Sequence, residues 1–135
     1  MRLLFVTDAR SPISRNWMSY FIERGDEVFI ASTFEWDSEG FPLEQMDFTP
    51  VAFSAAKKRS SAPSSASSRT LSLRTKIRQW LGPVTIPASA RKLRAFIQKV
   101  QPDIVHAMRV PYEGMLTASA LQGLITRPSF LVSIW

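Results

Sequence analysis

Apolar positions along the chain fall into two patterns. Met1–Thr7 is a short, nearly continuous apolar run, the pattern of a strand covered on both faces. Glu27–Ser32, Phe48–Phe53, Asp103–Ala107 and Pro128–Trp135 read as further strands. Between the first two runs, Ile13, Trp17, Tyr20, Phe21 and Arg24 recur at helical spacing. Ser11 is the expected cap of that helix, Pro12 its first residue and Gly25 its left-handed stop. A stronger helix carries Leu93, Phe96, Ile97 and Val100 on one face, with Arg91, Lys92, Arg94 and Lys99 facing away. It ends at Pro102, and the loop after Ala107 opens another helix at Tyr112 or Glu113. Trp17, Tyr20, Phe21, Phe96 and Phe130 are expected to pack in the core, and Trp36 and Trp80 to be partly exposed. Strands alternating with helices predict an α/β domain: a doubly wound, mainly parallel sheet with helices on both faces.

Composition narrows the class. A chain of 135 residues is one domain, able to bury roughly two-thirds of its unfolded surface. The absence of cysteine excludes a disulfide framework and thiolate metal sites, and a single histidine excludes a multi-histidine zinc site. No window approaches the roughly 18 to 20 apolar residues needed to span a bilayer. The net charge of +6 is unevenly spread: residues 1–56 carry −5, residues 57–99 carry +11 with no acid, and residues 100–135 balance. Within the basic segment, Ser54–Ser72 is too poor in apolar side chains to offset its ordering entropy and reads as a flexible loop. Leu73, Ile77, Trp80 and Leu81 then form a narrow arc on a short helix, with Arg74, Lys76 and Arg78 off the arc. No internal repeat is present.

Candidate chemistry gathers where strands feed into loops, because ligands of open α/β sheets bind at the carboxyl ends of the strands. The loop after the first strand, Thr7-Asp8-Ala9-Arg10-Ser11, lacks the glycines of a dinucleotide fingerprint, which disfavours a nicotinamide oxidoreductase, and there is no phosphate-binding P-loop. Arg10 and Arg15 stand near a helix start and suit a phosphate or an acidic sugar, with Ser11 and Asn16 beside them; the competing reading pairs Asp8 with Arg10 locally. At the end of the 103–107 strand, His106 suits proton transfer or a hydrogen bond to a sugar hydroxyl, or else is a satisfied structural histidine. Arg109 and Glu113 are expected to face solvent at the strand's mouth, as ligands for a carboxylate, phosphate or sugar hydroxyl, or as a loop-to-helix salt bridge.

Three stretches, Arg2–Asp8 with the helix that ends in Glu23–Val28, Pro102–Ala107 and Pro128–Trp135, together resemble the N-terminal half-domain of GT-B glycosyltransferases of family 4. Arg2–Asp8 followed by a helix ending in Glu23-Arg24-Gly25-Asp26-Glu27-Val28 is similar to that family's opening strand, helix and turn. Pro102-Asp103-Ile104-Val105-His106-Ala107 resembles its "PD-hydrophobic-hydrophobic-H-A" strand, and Pro128–Trp135 the strand that follows. The resemblance implies a Rossmann-like domain on the acceptor side of a retaining, nucleotide-sugar-dependent transferase of polysaccharide or glycolipid synthesis, with no cofactor and no essential metal. It implies a second, donor-binding domain that these residues do not include, so this chain alone is expected to be inactive. It also places His106 at the catalytic edge, while Asp8, Arg10, Ser11, Arg15, Asn16, Arg109 and Glu113 are the substrate-binding candidates by their own positions at the strand ends. Two departures stand out: a glycine-free first loop, and Met108 where many members carry a second histidine.

Partners follow from the same reading. The expected ligands are a sugar acceptor and, through the other domain, a nucleotide-sugar donor. A stand-alone anion- or sugar-binding module is the alternative. Arg74, Lys76, Arg78 and Trp80 combine cations with an apolar arc, as expected at an anionic membrane surface, which places the chain in the cytoplasm or at the inner membrane face. The basic segment lacks a nucleic-acid recognition motif, and nucleic acid is not an expected partner.

Overall fold

The computed structural model describes residues 1–34, 48–50 and 86–134. The candidate membrane-surface residues Arg74, Lys76, Arg78 and Trp80, the 54–72 loop, Trp36 and residues 51–53 of the third strand lie outside them. Five parallel strands form one sheet: β1 (Arg2–Thr7), β2 (Glu27–Ser32), β3 (Phe48–Pro50), β4 (Ile104–Ala107) and β5 (Ser129–Val132). Their order is β3-β2-β1-β4-β5, so the chain moves outward in one direction from β1 and then returns to β1's other side. Helix α1 (Pro12–Glu23) joins β1 to β2, α2 (86–100) precedes β4, and α3 (Met115–Leu121) joins β4 to β5.

That reversal puts helices on both faces, because right-handed crossovers running in opposite directions along a sheet must use opposite faces. One core joins Leu4, Val6, Ala31, Val105 and Ala107 to Leu93, Phe96, Ile97 and Val100 of α2 and to Leu116, Ala120 and Leu121 of α3. The other joins Leu3, Phe5, Val28 and Ile30 to Met18 of α1. Alternate residues of each strand thus serve alternate cores, as the two-residue period requires. The fold is α/β and Rossmann-like, with a wholly parallel sheet.

Most local signals act as expected. Gly25 takes φ +86° and closes α1: its N–H reaches the Ile22 carbonyl at 2.8 Å and the Asp26 N–H the Phe21 carbonyl at 3.0 Å, the paired bonds of a Schellman stop. Ser11 occupies the N-cap position with Pro12 after it, but its hydroxyl makes no capping bond.

The rotation of α1 differs from expectation. Ser14 and Met18 point into the sheet, with Phe21 and Ile22 partly buried beside them, while Ile13, Trp17 and Tyr20 are 41–59% exposed. The Ser14 hydroxyl is held inside by the Thr7 hydroxyl at 2.6 Å. Phe130 is also exposed at 41%, because β5 is the outer strand of the sheet among the described residues. Phe96 is buried as expected.

Arg94 does not face solvent like its neighbours on α2. Its guanidinium donates to the carbonyls of Ala120 at 2.9 Å and Ser119 at 3.2 Å, in the last turn of α3, where unpaired carbonyls and the helix dipole favour a cation. A Cβ on Gly123 would overlap that guanidinium. Arg94→Ala and Gly123→Ala should therefore each cost about 1–2 kcal/mol, the worth of charge-assisted hydrogen bonds in a half-buried setting. The double variant should cost little more than either alone. Urea denaturation of the four proteins checks this, and additive losses would show that the two residues act separately.

Candidate active edge at the sheet's switch point

Backbone ladders continue one residue past the strands. The Thr33 N–H donates to the Thr7 carbonyl, Met108 to Val6, and Ser133 to Ala107, all at 2.9–3.0 Å. The loops that follow β2, β1, β4 and β5 are thereby laid side by side along one edge. The strand order reverses between β1 and β4, and that is where a crevice opens in such sheets.

The first of these loops turns without glycine because Asp8 supplies the turn. Its backbone carbonyl accepts from the Ser11 N–H at 3.0 Å, and its carboxylate Oδ1 from the Arg10 N–H at 3.1 Å. The Arg10 side chain folds back onto the same carboxylate, Nε to Oδ1 at 2.9 Å and Nη2 to Oδ2 at 3.0 Å. Partial burial would raise the Asp8 carboxyl, but these bonds and the charges of Arg10 and Arg109 outweigh it and hold its pKa below the usual value. The Arg10 guanidinium also lies over the Phe34 ring, 4.0 Å from its centroid.

The loop after β4 coils as a π-turn over Val110–Gly114 before α3 begins at Met115, so the α-helix starts later than its sequence suggests. The Gly114 N–H reaches back five residues to the Arg109 carbonyl at 2.8 Å. Glu113 is pulled inward by this turn and is 3% exposed, not solvent-facing as expected. Its Oε1 accepts from Arg109 Nη2 at 3.1 Å and from the Thr33 hydroxyl at 3.2 Å. Arg109 Nη2 also lies 3.7 Å from Asp8 Oδ2. One carboxylate thus ties the β4 loop to the end of β2, and one guanidinium ties it to the β1 loop.

No protein-family model matches this chain, and neither does any curated protein.

Of the candidate residues, Asp8, Arg10, Arg109 and Glu113 form this single cluster, and Thr33 and Phe34 join it from β2. Arg15 instead turns to the loop backbone, donating from Nε to the Ala9 carbonyl at 3.2 Å, and fixes the loop from behind. Asn16 is exposed on the outer side of α1. Ser11 contributes its backbone to the turn.

His106 stands apart from the cluster. It projects to the α1 side of the sheet, 3% exposed, with Phe5 at 5.4 Å and Trp17 edge-on at 5.8 Å between ring centroids. Its Nε2 meets the Ser133 hydroxyl at 2.6 Å. Burial lowers its pKa below the ordinary 6.5, so the imidazole is neutral at pH 7. Below about pH 6.5 the unfolded chain binds a proton that the native chain refuses. Stability is therefore full above that pH and declines as pH falls from 6.5 through the lowered native value. His106→Gln, which retains a partner for Ser133, should flatten that part of the profile. Urea midpoints measured across the window check this; an unchanged slope would place the titrating group elsewhere.

Thr33 and Phe34 of the cluster, and Ser133 beside His106, were not found from the sequence. Each follows a strand by one or two residues, and that position was the available signal. Among the described residues no three His, Cys, Asp or Glu side chains gather as a metal site, and no helix is long and apolar enough to cross a membrane.

Proposed function

We propose that the chain is the acceptor-side domain of a nucleotide-sugar-dependent glycosyltransferase of the GT-B type, and that the acceptor lies against the edge formed by the loops after β1 and β4. The observation that carries this reading is the meeting of those two loops. The stretches that resemble family 4 sit on β1 with α1 and on β4, far apart in sequence, and their loops join through the Asp8–Arg109–Glu113 chain of ion pairs at the switch point. A polar edge above an open parallel sheet suits a hydroxyl-rich ligand, which needs donors and acceptors held at fixed positions.

His106 fits a supporting role in this reading. A neutral imidazole that spends Nε2 on Ser133 braces β5 against β4 beside the switch point. A transferase of this type needs a second domain to supply the donor and to exclude water. The purified 135-residue chain should therefore bind sugar ligands without turning over nucleotide sugars. An NMR titration with sugars and sugar phosphates, run beside a turnover assay with a panel of nucleotide sugars, tests both halves. Shifts confined to residues 8–16, 33–34 and 106–114 with no turnover are expected. A silent edge, or saturable transfer by this chain alone, would overturn the reading.

A further inference from the structure

The geometry points to an anionic subsite at this edge: Arg10 and Arg109 together grip a phosphate or carboxylate carried by the acceptor. The inference rests on the acceptor-side reading above and adds the chemical class of the ligand. It follows from which hydrogen-bonding groups at the edge are already spent.

Three of the four carboxylate oxygens at the edge are used from within. Asp8 Oδ1 takes the Arg10 N–H and Nε, while Oδ2 takes Arg10 Nη2 and faces Arg109 Nη2. Glu113 Oε1 takes both Arg109 and Thr33. These carboxylates are also covered, their side chains 14% and 4% exposed. The donors lie above them and remain in surplus. Arg10 engages the cluster through Nε and Nη2 and Arg109 through Nη2 alone, so Nη1 of both residues and Nε of Arg109 make no hydrogen bond among the described residues. The two arginine side chains are 52% and 42% exposed. A ligand arriving at this edge meets N–H groups, so the group it presents must be rich in acceptors.

Position and rigidity favour an anion over a neutral hydroxyl. Both Nη2 atoms approach the same oxygen, Asp8 Oδ2, so one phosphate or carboxylate can face both forks. Each side chain is held in one rotamer before any ligand comes, Arg10 by Asp8 and the Phe34 ring, Arg109 by Asp8 and Glu113. The ordering entropy that a free arginine loses on binding is thereby already spent. A lysine in either place would keep the charge and lose the fork.

The test is an NMR titration of the 135-residue chain at constant ionic strength with glucose 1-phosphate, glucuronate, glucose and inorganic phosphate, following the arginine side-chain N–H signals. Glucose 1-phosphate and glucuronate should bind about tenfold more tightly than glucose and shift Arg10 and Arg109. Arg10→Lys and Arg109→Lys should each weaken that binding about tenfold, while Arg24→Lys, at an exposed arginine outside the site, leaves it unchanged. Equal affinity for glucose, full affinity in both lysine variants, or no shift with any probe would overturn the subsite. If glucose binds this edge as well as the charged sugars do, the acceptor reading survives and the subsite fails. If inorganic phosphate binds as well as glucose 1-phosphate, the subsite stands and the sugar reading fails. Co-sedimentation with phosphatidylcholine vesicles carrying phosphatidic acid separates the sources of the anion. Binding to the vesicles that both lysine variants lose assigns it to a lipid headgroup, and binding to the soluble probes alone assigns it to a free acceptor.

Discussion

Phe5→Ala should destabilise the fold by about 4 kcal/mol and return His106 toward ordinary titration. Phe5 is fully buried in the middle of β1, which is paired on both sides, by β2 and by β4. Its ring packs against Phe21 at 5.7 Å and His106 at 5.4 Å between centroids. A central strand cannot shift to close the space a lost ring leaves, so the cavity cost adds to the lost transfer energy. Set against the roughly 5–15 kcal/mol that keeps a domain folded, such a loss is large. Water entering beside the imidazole relieves the burial that lowers its pKa, so the His106 titration should move up toward 6.5. Urea denaturation and an NMR pH titration read the two effects, and Phe5→Leu should show the same shifts in smaller measure. A loss below about 1 kcal/mol, or an unmoved His106, would mean that the ring does not seal this core.

The contrast between α1 and β1 shows which features were legible in the sequence. A strand covered on both faces has no phase to decide, so Arg2–Thr7 could be read directly from its apolar run. A helix has a phase, and α1 carries two arcs of the same period. The arc through Ile13, Trp17 and Tyr20 is the more apolar, yet the arc through Ser14 and Met18 is buried. What decides is the Thr7–Ser14 hydroxyl pair together with the small Ser14 side chain, which lets the helix lie close to the end of β1. Spacing gives the period of a helix, and only its tertiary partners give its rotation. Gly25 was readable for the opposite reason, since its conformation is a local requirement.

The candidate site divides in the same way. Asp8 with Arg10, and Arg109 with Glu113, are close in sequence and were visible as local pairs. Their meeting was not, because it is set by the β1–β4 pairing across some hundred residues. The burial of Glu113 was hidden as well. Four residues separate it from Arg109, which on an ordinary helix start would leave both in solvent, whereas the π-turn and the Thr33 hydroxyl draw the carboxylate inside. Arg94 adds a third case: it reads as one more cation on a basic helix, and its role at the end of α3 depends on a glycine far along the chain.

Glu113→Ala should separate the loops of the switch point without unfolding the sheet. Glu113 is 3% exposed, and its carboxylate accepts from two loops at once. Among the described residues, its loss leaves the Thr33 hydroxyl with only the longer contact to the Thr7 carbonyl, at 3.4 Å, and leaves Arg109 with only the 3.7 Å pairing to Asp8. Arg109 is 42% exposed and can turn to water, so the cost stays well below that of a fully buried ion pair, at about 2 kcal/mol. The Glu113 carbonyl still accepts from the Thr117 hydroxyl at 2.7 Å, so the start of α3 should hold. Binding should suffer more visibly. Arg109 would sample several rotamers, and a charged sugar should bind about tenfold more weakly because that ordering must occur on binding. Glu113→Gln keeps an acceptor for Thr33 and should recover most of the stability but only part of the affinity, since a neutral amide holds a guanidinium less firmly. Urea midpoints, the Arg109 side-chain N–H linewidth and glucose 1-phosphate titration measure the three consequences on the same samples. If Glu113→Ala left both the linewidth and the affinity unchanged, Asp8 alone would be what positions Arg109, and the tie between β2 and β4 would serve only the fold.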